Sequence, residues 1–201
     1  MCRQQNTRDT TQSGQTKAVS PFRLRLIARE LHQGAVIAYP TEAVYGLGCD
    51  PLNRAAVERL LAIKRRPLHK GLILIAASVD QLRPFARFDG DCLDRVEASW
   101  PGPHTWLLPA VTDLPYWING GRDSVACRVT AHPVAAALCR AFGGPIVSTS
   151  ANQAGQAPAR NALQARLRCR AVDRVVQGAT GGLHAPTPIR DAVSGEMLRG
   201  D

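Results

Sequence analysis

The chain has 201 residues, of which 45% are hydrophobic, and its 25 Lys and Arg residues outnumber 16 Asp and Glu for a net charge of +9. This length fits one domain with an ordinary core, and the composition excludes a wholly disordered or fibrous chain. No apolar run approaches the ~20 residues that span a bilayer, so we predict no membrane-spanning segment.

The first residues of the chain differ from the rest. Residues 1–19 are polar and lack both the apolar core of a secretory signal and the arginine-rich pattern of a transit peptide. We therefore predict a disordered extension over residues 1–20 and a single folded domain over residues 21–201.

The six cysteines are scattered, with no Cys-x-x-Cys pair and no Cys/His pair at zinc spacing. This pattern argues against a structural metal site and favours a reducing, cytoplasmic compartment. Cys49, Cys127 and Cys139 lie in apolar stretches, where we expect them to act as small core residues.

Apolar periodicity and capping residues predict alternating helices and strands. In chain order, the first half is predicted to contain a helix from Pro21 to Gly34, a strand over 35–39, a helix from Asn53 ended by Pro67, a strand over 71–77, a short helix opened by a Ser78/Gln81 capping box, and a helix through Leu93, Val96 and Trp100. The second half is predicted to contain strands over 105–108 and 124–129, a helix from His132-Pro133 to Gly143, a strand over 145–149, a basic helix over 161–168, a strand near 172–176 and a glycine-rich turn at 178–182. This order predicts a single α/β domain with a mixed sheet.

The positive charge is concentrated in two segments. Residues 54–70 carry six cations and one acid, and residues 160–174 carry five cations and one acid. Such concentrations favour a polyanion or a phosphorylated ligand. The sequence has no Walker A loop, no G-x-G-x-x-G and no G-x-S-x-G, so a phosphate site would be of another kind.

The strongest phosphate-site candidate runs from Lys64 to Lys70, at a predicted helix end. It holds two of the three lysines in a chain with 22 arginines, which indicates that compact point charges matter here. Lys64 and Arg66 could converge on one triphosphate. The alternative is a solvated basic helix end, and basic runs of that kind are common.

Two further candidates follow predicted strands, where α/β domains place binding groups. Residues 39–48 contain a Thr41-Glu42 pair and two glycines, although a tight turn would explain them too, and Glu42 receives no acid or base role. Residues 148–152 bring hydroxyls and an amide to a strand end, where they could donate to phosphate or could simply form a turn.

The order of these motifs is more specific than any one of them. The segments PTEAVYGLGCDP, IKRRPLHKGLILI, WPGPHTWLLP, ACRVTAHP and PIVSTSANQAG together resemble the YrdC/TsaC family of threonylcarbamoyl-AMP synthases. The resemblance starts near Phe22 and continues to the end of the chain, in the short bacterial form. Its K-x-R (Lys64, Arg66) and S-x-N (Ser150, Asn152) signature is specific to that family.

The resemblance implies a twisted, mixed parallel/antiparallel sheet flanked by helices, with a concave basic face. It also implies a reaction in which L-threonine, bicarbonate and ATP, with Mg²⁺, give L-threonylcarbamoyladenylate and pyrophosphate. The product would feed threonylcarbamoyladenosine formation on tRNAs that read ANN codons, through downstream threonylcarbamoyl-transferase proteins. Protein side chains are not expected to hold the metal.

Residue roles carry over from the family motifs. Lys64 and Arg66 are the expected catalytic residues, and the residues expected to bind ATP are Lys64, Arg66, Lys70, Thr105, Ser148, Ser150 and Asn152. Thr41 and Arg128 are expected to bind threonine. Some longer relatives have a histidine where Ile75 stands, so one substrate contact is expected to be missing or to come from elsewhere.

Two rival functions remain open at this point. One is a non-catalytic module that binds double-stranded RNA or tRNA through the second basic segment, with strongly salt-dependent affinity. The other is an enzyme that forms a carbamoyl adenylate from carbamoyl phosphate. Related domains of that kind occur in longer chains with zinc-finger and acylphosphatase parts, which this chain does not contain.

Overall fold

The structure, a computed structural model, describes residues 19–183, 185 and 187–199. Most of the extension predicted for residues 1–20 lies outside this part of the chain. The described elements, in chain order, are α1 (Pro21–His32), β1 (Ile37–Pro40), β2 (Tyr45–Gly48), α2 (Arg54–Lys64), a 3₁₀ turn (Leu68–Lys70), β3 (Ile73–Ala76), α3 (Cys92–Glu97), β4 (Thr105–Pro109), α4 (Tyr116–Asn119), β5 (Ser124–Val129), α5 (Pro133–Phe142), β6 (Ile146–Ser150), α6 (Ala162–Arg168), β7 (Arg174–Val175), β8 (Ile189–Asp191) and β9 (Met197–Arg199).

The strands of the described residues form one sheet in the order β7-β1-β2-β6-β3-β5-β4-β8-β9. The pairs β1–β7, β3–β5 and β4–β8 are parallel, and the other neighbours are antiparallel. The mixed sheet and the α/β class predicted from the sequence are therefore confirmed. The ends of α2, β1 and β6 place the three candidate segments in one region of the molecule.

Local capping explains where the main helices begin and end. The Asn53 side chain accepts a hydrogen bond from the backbone N–H of Ala56 at 3.1 Å and starts α2. The end of α2 differs from the prediction, because the helix stops at Lys64 rather than at Pro67. Arg65 adopts a left-handed conformation with φ of 53°, which ends the helix and turns the chain toward the 3₁₀ turn.

Two apolar clusters pack on the sheet. The larger one contains α2 and the inner strands, and the smaller one lies between α1, α5 and the sheet. Cys49, Cys127 and Cys139 are fully buried, as expected. Burial raises the pKa of all three thiols, and that of Cys139 reaches about 12, so they remain protonated and act as apolar packing groups.

The predicted capping box after β3 is wrong. Residues 78–85 form bends and turns rather than a helix. The Gln81 side chain instead accepts a hydrogen bond from Ala77 N at 2.8 Å and donates one to the Cys139 carbonyl at 3.0 Å. It therefore ties this turn to α5 and does not cap a helix.

Several predicted boundaries also shift. The helix expected to reach Trp100 is the shorter α3, and the strand expected near 172–176 contains only β7. None of the helices in the described part of the chain has the length and apolarity needed to cross a bilayer.

Candidate functional site

A cavity of about 750 Å³ opens where α2, the loop after β1, β5, β6 and the β8–β9 hairpin meet. No Asp or Glu is found among its described lining residues, but eight cations are: Lys64, Arg65, Arg66, Lys70, Arg122, Arg128, Arg160 and Arg199. The positive charges in the cavity repel one another, and an anionic ligand would offset that repulsion. The cavity is therefore suited to a polyanion.

Most of the predicted site residues meet at this cavity. Seven of them line it: Thr41, Lys64, Arg66, Lys70, Arg128, Ser148 and Ser150. Thr105 is fully buried, with its hydroxyl 3.5 Å from that of Thr187. Asn152 is also buried and contacts Lys64 rather than the cavity, so both residues lie behind the wall and their assigned roles remain predictions.

Lys64 joins the K-x-R motif to the S-x-N motif. Its Nζ lies 2.7 Å from the Ser150 carbonyl oxygen and 3.0 Å from Ser150 Oγ. It also lies 2.9 Å from Asn152 Oδ1 and 3.3 Å from the Asn152 carbonyl oxygen. Because Ser150 Oγ accepts from the ammonium, its own proton remains available to donate to a ligand.

The charge state of Lys64 gives a pH prediction. Burial, followed by the nearby charge of Arg66, lowers the pKa of Lys64 to about 8. The ammonium is therefore charged below pH 8 and loses its proton as the pH rises through 8. We expect ATP affinity, measured by calorimetry, to be steady from pH 6.5 to 7.5 and to fall between pH 8 and 9.5. The decline should be absent in Lys64→Met, and an equal decline in that variant would contradict this assignment.

Three guanidinium groups form the centre of the cationic cluster. Arg66 Nη2 donates to the Lys70 and Gly71 carbonyl oxygens at 3.2 and 3.0 Å. Its buried Nε has no hydrogen-bond partner among the described residues. Burial, then the charges of Arg199 and Arg122, lowers the pKa of Arg66. The unpartnered Nε of Arg66 could donate a hydrogen bond to a phosphate group, whose negative charge would also offset the repulsion between the three guanidinium groups.

Sequence reasoning missed Arg122, Arg199 and Thr187 at this site. Arg199 Nη2 donates to the Thr187 carbonyl oxygen at 2.7 Å, which holds the arginine of β9 at the cavity. Arg122 Nη1 donates to the Asn119 carbonyl oxygen at 3.0 Å. These residues lie outside the K-x-R and S-x-N motifs, and the general excess of arginine was the only feature of the sequence that pointed to further cations at the site.

Thr41, Gly46 and Arg128 also line the cavity. Thr41 Oγ1 donates to the Val44 carbonyl oxygen at 2.7 Å, so its lone pairs remain free to accept. Arg128 Nη1 donates to Thr187 Oγ1 at 2.8 Å. Its buried Nε has no hydrogen-bond partner among the described residues and could donate to a carboxylate.

Ile75 is not among the described residues that line this cavity, although it pairs across β3 and β5 with Arg128, which does line it. It is fully buried in the cluster between the sheet, α1 and α5.

The second basic segment does not form one surface. Arg160 lines the cavity, whereas Arg174 is paired with Glu30 at the far edge of the sheet. Arg168 Nη1 donates to the Ala157 and Pro158 carbonyl oxygens at 2.8 and 2.7 Å. Arg166 and Arg170 are exposed.

Residues 29–200 match the model of the Sua5–YciO–YrdC family, which bears the description "Telomere recombination". The chain belongs to this family. The relatives include the threonylcarbamoyl-AMP synthase of Halorhodospira halophila, 58% identical over 181 residues that cover 89% of this chain and 95% of that protein. The threonylcarbamoyl-AMP synthase of Alkalilimnicola ehrlichii is 56% identical over 188 residues, covering 92% and 98% respectively. The family resemblance predicted from the motifs is confirmed.

Solved structures of Sua5–YciO–YrdC proteins share the fold. The Sua5 protein of P. abyssi in complex with L-threonine aligns with a TM-score of 0.81 and 30% identity over 87% of this chain. This chain spans about half of that structure, with 52% covered. The YciO protein of E. coli aligns with a TM-score of 0.78 over 92% of this chain and 94% of its own, and at 24% identity it supports the fold alone.

Proposed function

We propose that this member of the Sua5–YciO–YrdC family is an L-threonylcarbamoyladenylate synthase. The observation that carries the proposal is the cavity itself: its described lining residues include eight cations and no carboxylate, and a lysine among them joins the K-x-R and S-x-N motifs. Two relatives named threonylcarbamoyl-AMP synthase, at 58% and 56% identity over nearly their full length, support the same function.

The reaction needs charge neutralisation and alignment more than a strong base. The threonine amine attacks bicarbonate or CO₂ and forms an N–C bond, with loss of water or of a proton, to give a carbamate. A carbamate oxygen then attacks the α-phosphorus of ATP, the bond to the β-phosphate breaks, and pyrophosphate leaves. Both partners are anions, so positioned cations lower the barrier by offsetting their repulsion.

We assign these tasks to two neighbouring groups of residues. Lys64 and Arg66 would bind the triphosphate together with Lys70, and Ser150 would donate its hydroxyl proton. In this scheme Ser148 also lies on the nucleotide side, whereas Thr105 and Asn152 support the wall from behind. Arg122 and Arg199 would add charge to the phosphate-binding group. Thr41 and Arg128 would bind the threonine, and Arg128 adjoins the phosphate-binding group because it and Arg199 both donate to Thr187.

Magnesium would arrive with the nucleotide. Mg²⁺ prefers carboxylate, phosphate and water oxygens, and the described lining residues of the cavity include no Asp or Glu. Among the described residues no group of three or more His, Cys, Asp or Glu could hold a metal ion. We therefore treat the ion as part of Mg·ATP, held by the phosphate oxygens.

The adenylate is a reactive mixed anhydride that must pass to another protein. We propose that downstream threonylcarbamoyl-transferase proteins receive it and modify tRNA in the cytoplasm. The exposed Arg166 and Arg170 lie outside the cavity and are the candidates for an RNA contact. Such a contact would be secondary, because Arg160, Arg168 and Arg174 of the same segment are engaged elsewhere.

The decisive experiment measures pyrophosphate release from Mg·ATP, with threonine or bicarbonate omitted in turn. We expect release only when both are present, together with a threonine-containing adenylate detected by mass spectrometry. Pyrophosphate release that continues when threonine is omitted and when bicarbonate is omitted would overturn the proposal. Salt-sensitive RNA binding without any release would favour the non-catalytic alternative, and release that requires carbamoyl phosphate would favour the other rival.

A further inference from the structure

Glu42 is a buried acid beside a cavity whose described lining residues include no acid. It follows the cavity-lining Thr41, but only 8% of its side chain is exposed and it does not itself line the site. Two backbone hydrogen bonds fix the segment, from Gly181 N to the Thr41 carbonyl oxygen at 3.0 Å and from Leu183 N to the Glu42 carbonyl oxygen at 3.1 Å. The carboxylate is therefore held in place behind the wall.

Glu42 joins two residues at the end of β5. Its Oε2 lies 3.5 Å from Arg128 Nη2, and its Oε1 accepts a hydrogen bond from Thr130 Oγ1 at 2.5 Å. Arg128 is also buried, with 5% of its side chain exposed. Among the ion pairs of the described residues, this is the one in which both side chains are less than a tenth exposed.

The Glu42–Arg128 pair affects how positive charge is distributed along the cavity. Burial, and then the charge of Arg128, lowers the pKa of Arg199. Burial, and then the charge of Arg199, lowers the pKa of Arg66. Arg128 and Arg199 also donate to the same residue, Thr187, so without a counter-charge Arg128 would simply extend the phosphate-binding cluster. Buried ion pairs add little net stability, so a role in ligand selection is the better explanation for this one.

We propose that Glu42 positions Arg128 and neutralises it, so that the part of the cavity beside Arg128 accepts a singly charged carboxylate and excludes polyphosphate. The proposal rests on the proposed function, in which Arg128 binds the carboxylate of threonine. Bound threonine brings one carboxylate to the Arg128 guanidinium, whereas a polyphosphate would bring several negative charges close to the Glu42 carboxylate. Repulsion grows with that charge, so the pair discriminates against ATP or pyrophosphate beside Arg128.

The test is calorimetric titration of inorganic tripolyphosphate into the protein, with and without saturating threonine. In the wild-type protein we expect the two ligands to bind independently. In Glu42→Gln, which keeps an acceptor for Thr130 but removes the charge, tripolyphosphate should bind about tenfold more tightly and threonine should displace it. If Glu42 had only a structural role, Glu42→Gln would lower activity but would not make threonine and tripolyphosphate compete.

Two matched variants isolate the charge. Glu42→Asp keeps the negative charge and should behave as the wild-type protein does, with independent binding. The double variant Glu42→Gln/Arg128→Gln lacks both charges and should lose the extra tripolyphosphate affinity. Thermal melting of each variant checks that it is folded.

The outcomes separate this inference from the proposed function. A folded Glu42→Gln variant with unchanged tripolyphosphate affinity and no threonine competition overturns the role of Glu42, even if the wild-type protein makes the adenylate. Competition between threonine and tripolyphosphate in the wild-type protein also overturns it, which keeps the test valid if Glu42→Gln does not fold. Absence of threonine binding and of adenylate formation in the wild-type protein instead contradicts the proposed function.

Discussion

Replacing Lys64 with Met should lower kcat/KM for pyrophosphate release by about 10³-fold, equivalent to about 4 kcal/mol of transition-state stabilisation. The ammonium contributes in two ways. It supplies one charge to the triphosphate, and its hydrogen bonds hold Ser150 and Asn152 in place. Charge-assisted hydrogen bonds contribute about 1.5–3 kcal/mol each, so losing one to phosphate and weakening two neighbours accounts for the size of the effect.

The Lys64→Met variant should remain folded, because the methionine side chain retains most of the apolar stem of the lysine and fills the same space. Arg54→Met on the same helix is the matched control. Arg54 is 69% exposed and pairs with Glu58 on the surface of α2, so its loss should leave turnover unchanged. Both variants are measured by pyrophosphate release and thermal melting. Normal release from folded Lys64→Met would show that the K-x-R motif is only a basic helix end.

Elements with strong local signals were predictable from the sequence. Ser20-Pro21 begins α1, and His132-Pro133 and Gly143 bound α5, because caps and prolines act within one helical turn. The β8–β9 hairpin was not predicted. All three residues of β9 are exposed, so the strand carries no alternating apolar pattern. The Ser78/Gln81 pattern failed for a tertiary reason, since the Gln81 side chain bonds to α5 across the fold.

The candidate site was predictable to the extent that its residues lie in contiguous motifs. Lys64, Arg66 and Ser150 belong to such motifs, and they meet at the cavity. Arg122 and Arg199 come from a loop and from the last strand, and their proximity depends on long-range pairing that the sequence pattern does not encode. The sequence indicates no role for Glu42, because nothing in its local pattern shows that it is buried against Arg128.

Strand β2 shows how the fold and the site depend on the same residues. The ring of Tyr39 is fully buried and lies across β2. A Cβ atom at Gly48 would lie 2.7 Å from Tyr39 Cε1 and 2.7 Å from the Val147 carbonyl oxygen. A Cβ at Gly46 would meet its nearest neighbours, in Tyr39 and Thr41, at 3.4 Å, an ordinary contact. Gly48 is therefore required for packing, and Gly46 is not.

We accordingly expect Gly48→Ala to destabilise the protein by about 3 kcal/mol, because neither the backbone of β6 nor the enclosed tyrosine ring can move away. For a chain of this size that loss lowers Tm by roughly 10 °C in a thermal melt. Gly46→Ala is the matched control, and its Tm should change by only about 2 °C.

The same control variant connects packing to function. Gly46 lines the cavity, and its added methyl group would stand 3.5 Å from Ser148 Oγ and beside the Thr41 methyl. Gly46→Ala should therefore raise KM for threonine about tenfold, because the added methyl group occupies space that the substrate needs. The variant protein should still melt normally. Equal melting temperatures for the two variants would contradict the close approach of Tyr39 to Gly48. An unchanged KM in Gly46→Ala would show that threonine binds elsewhere in the cavity.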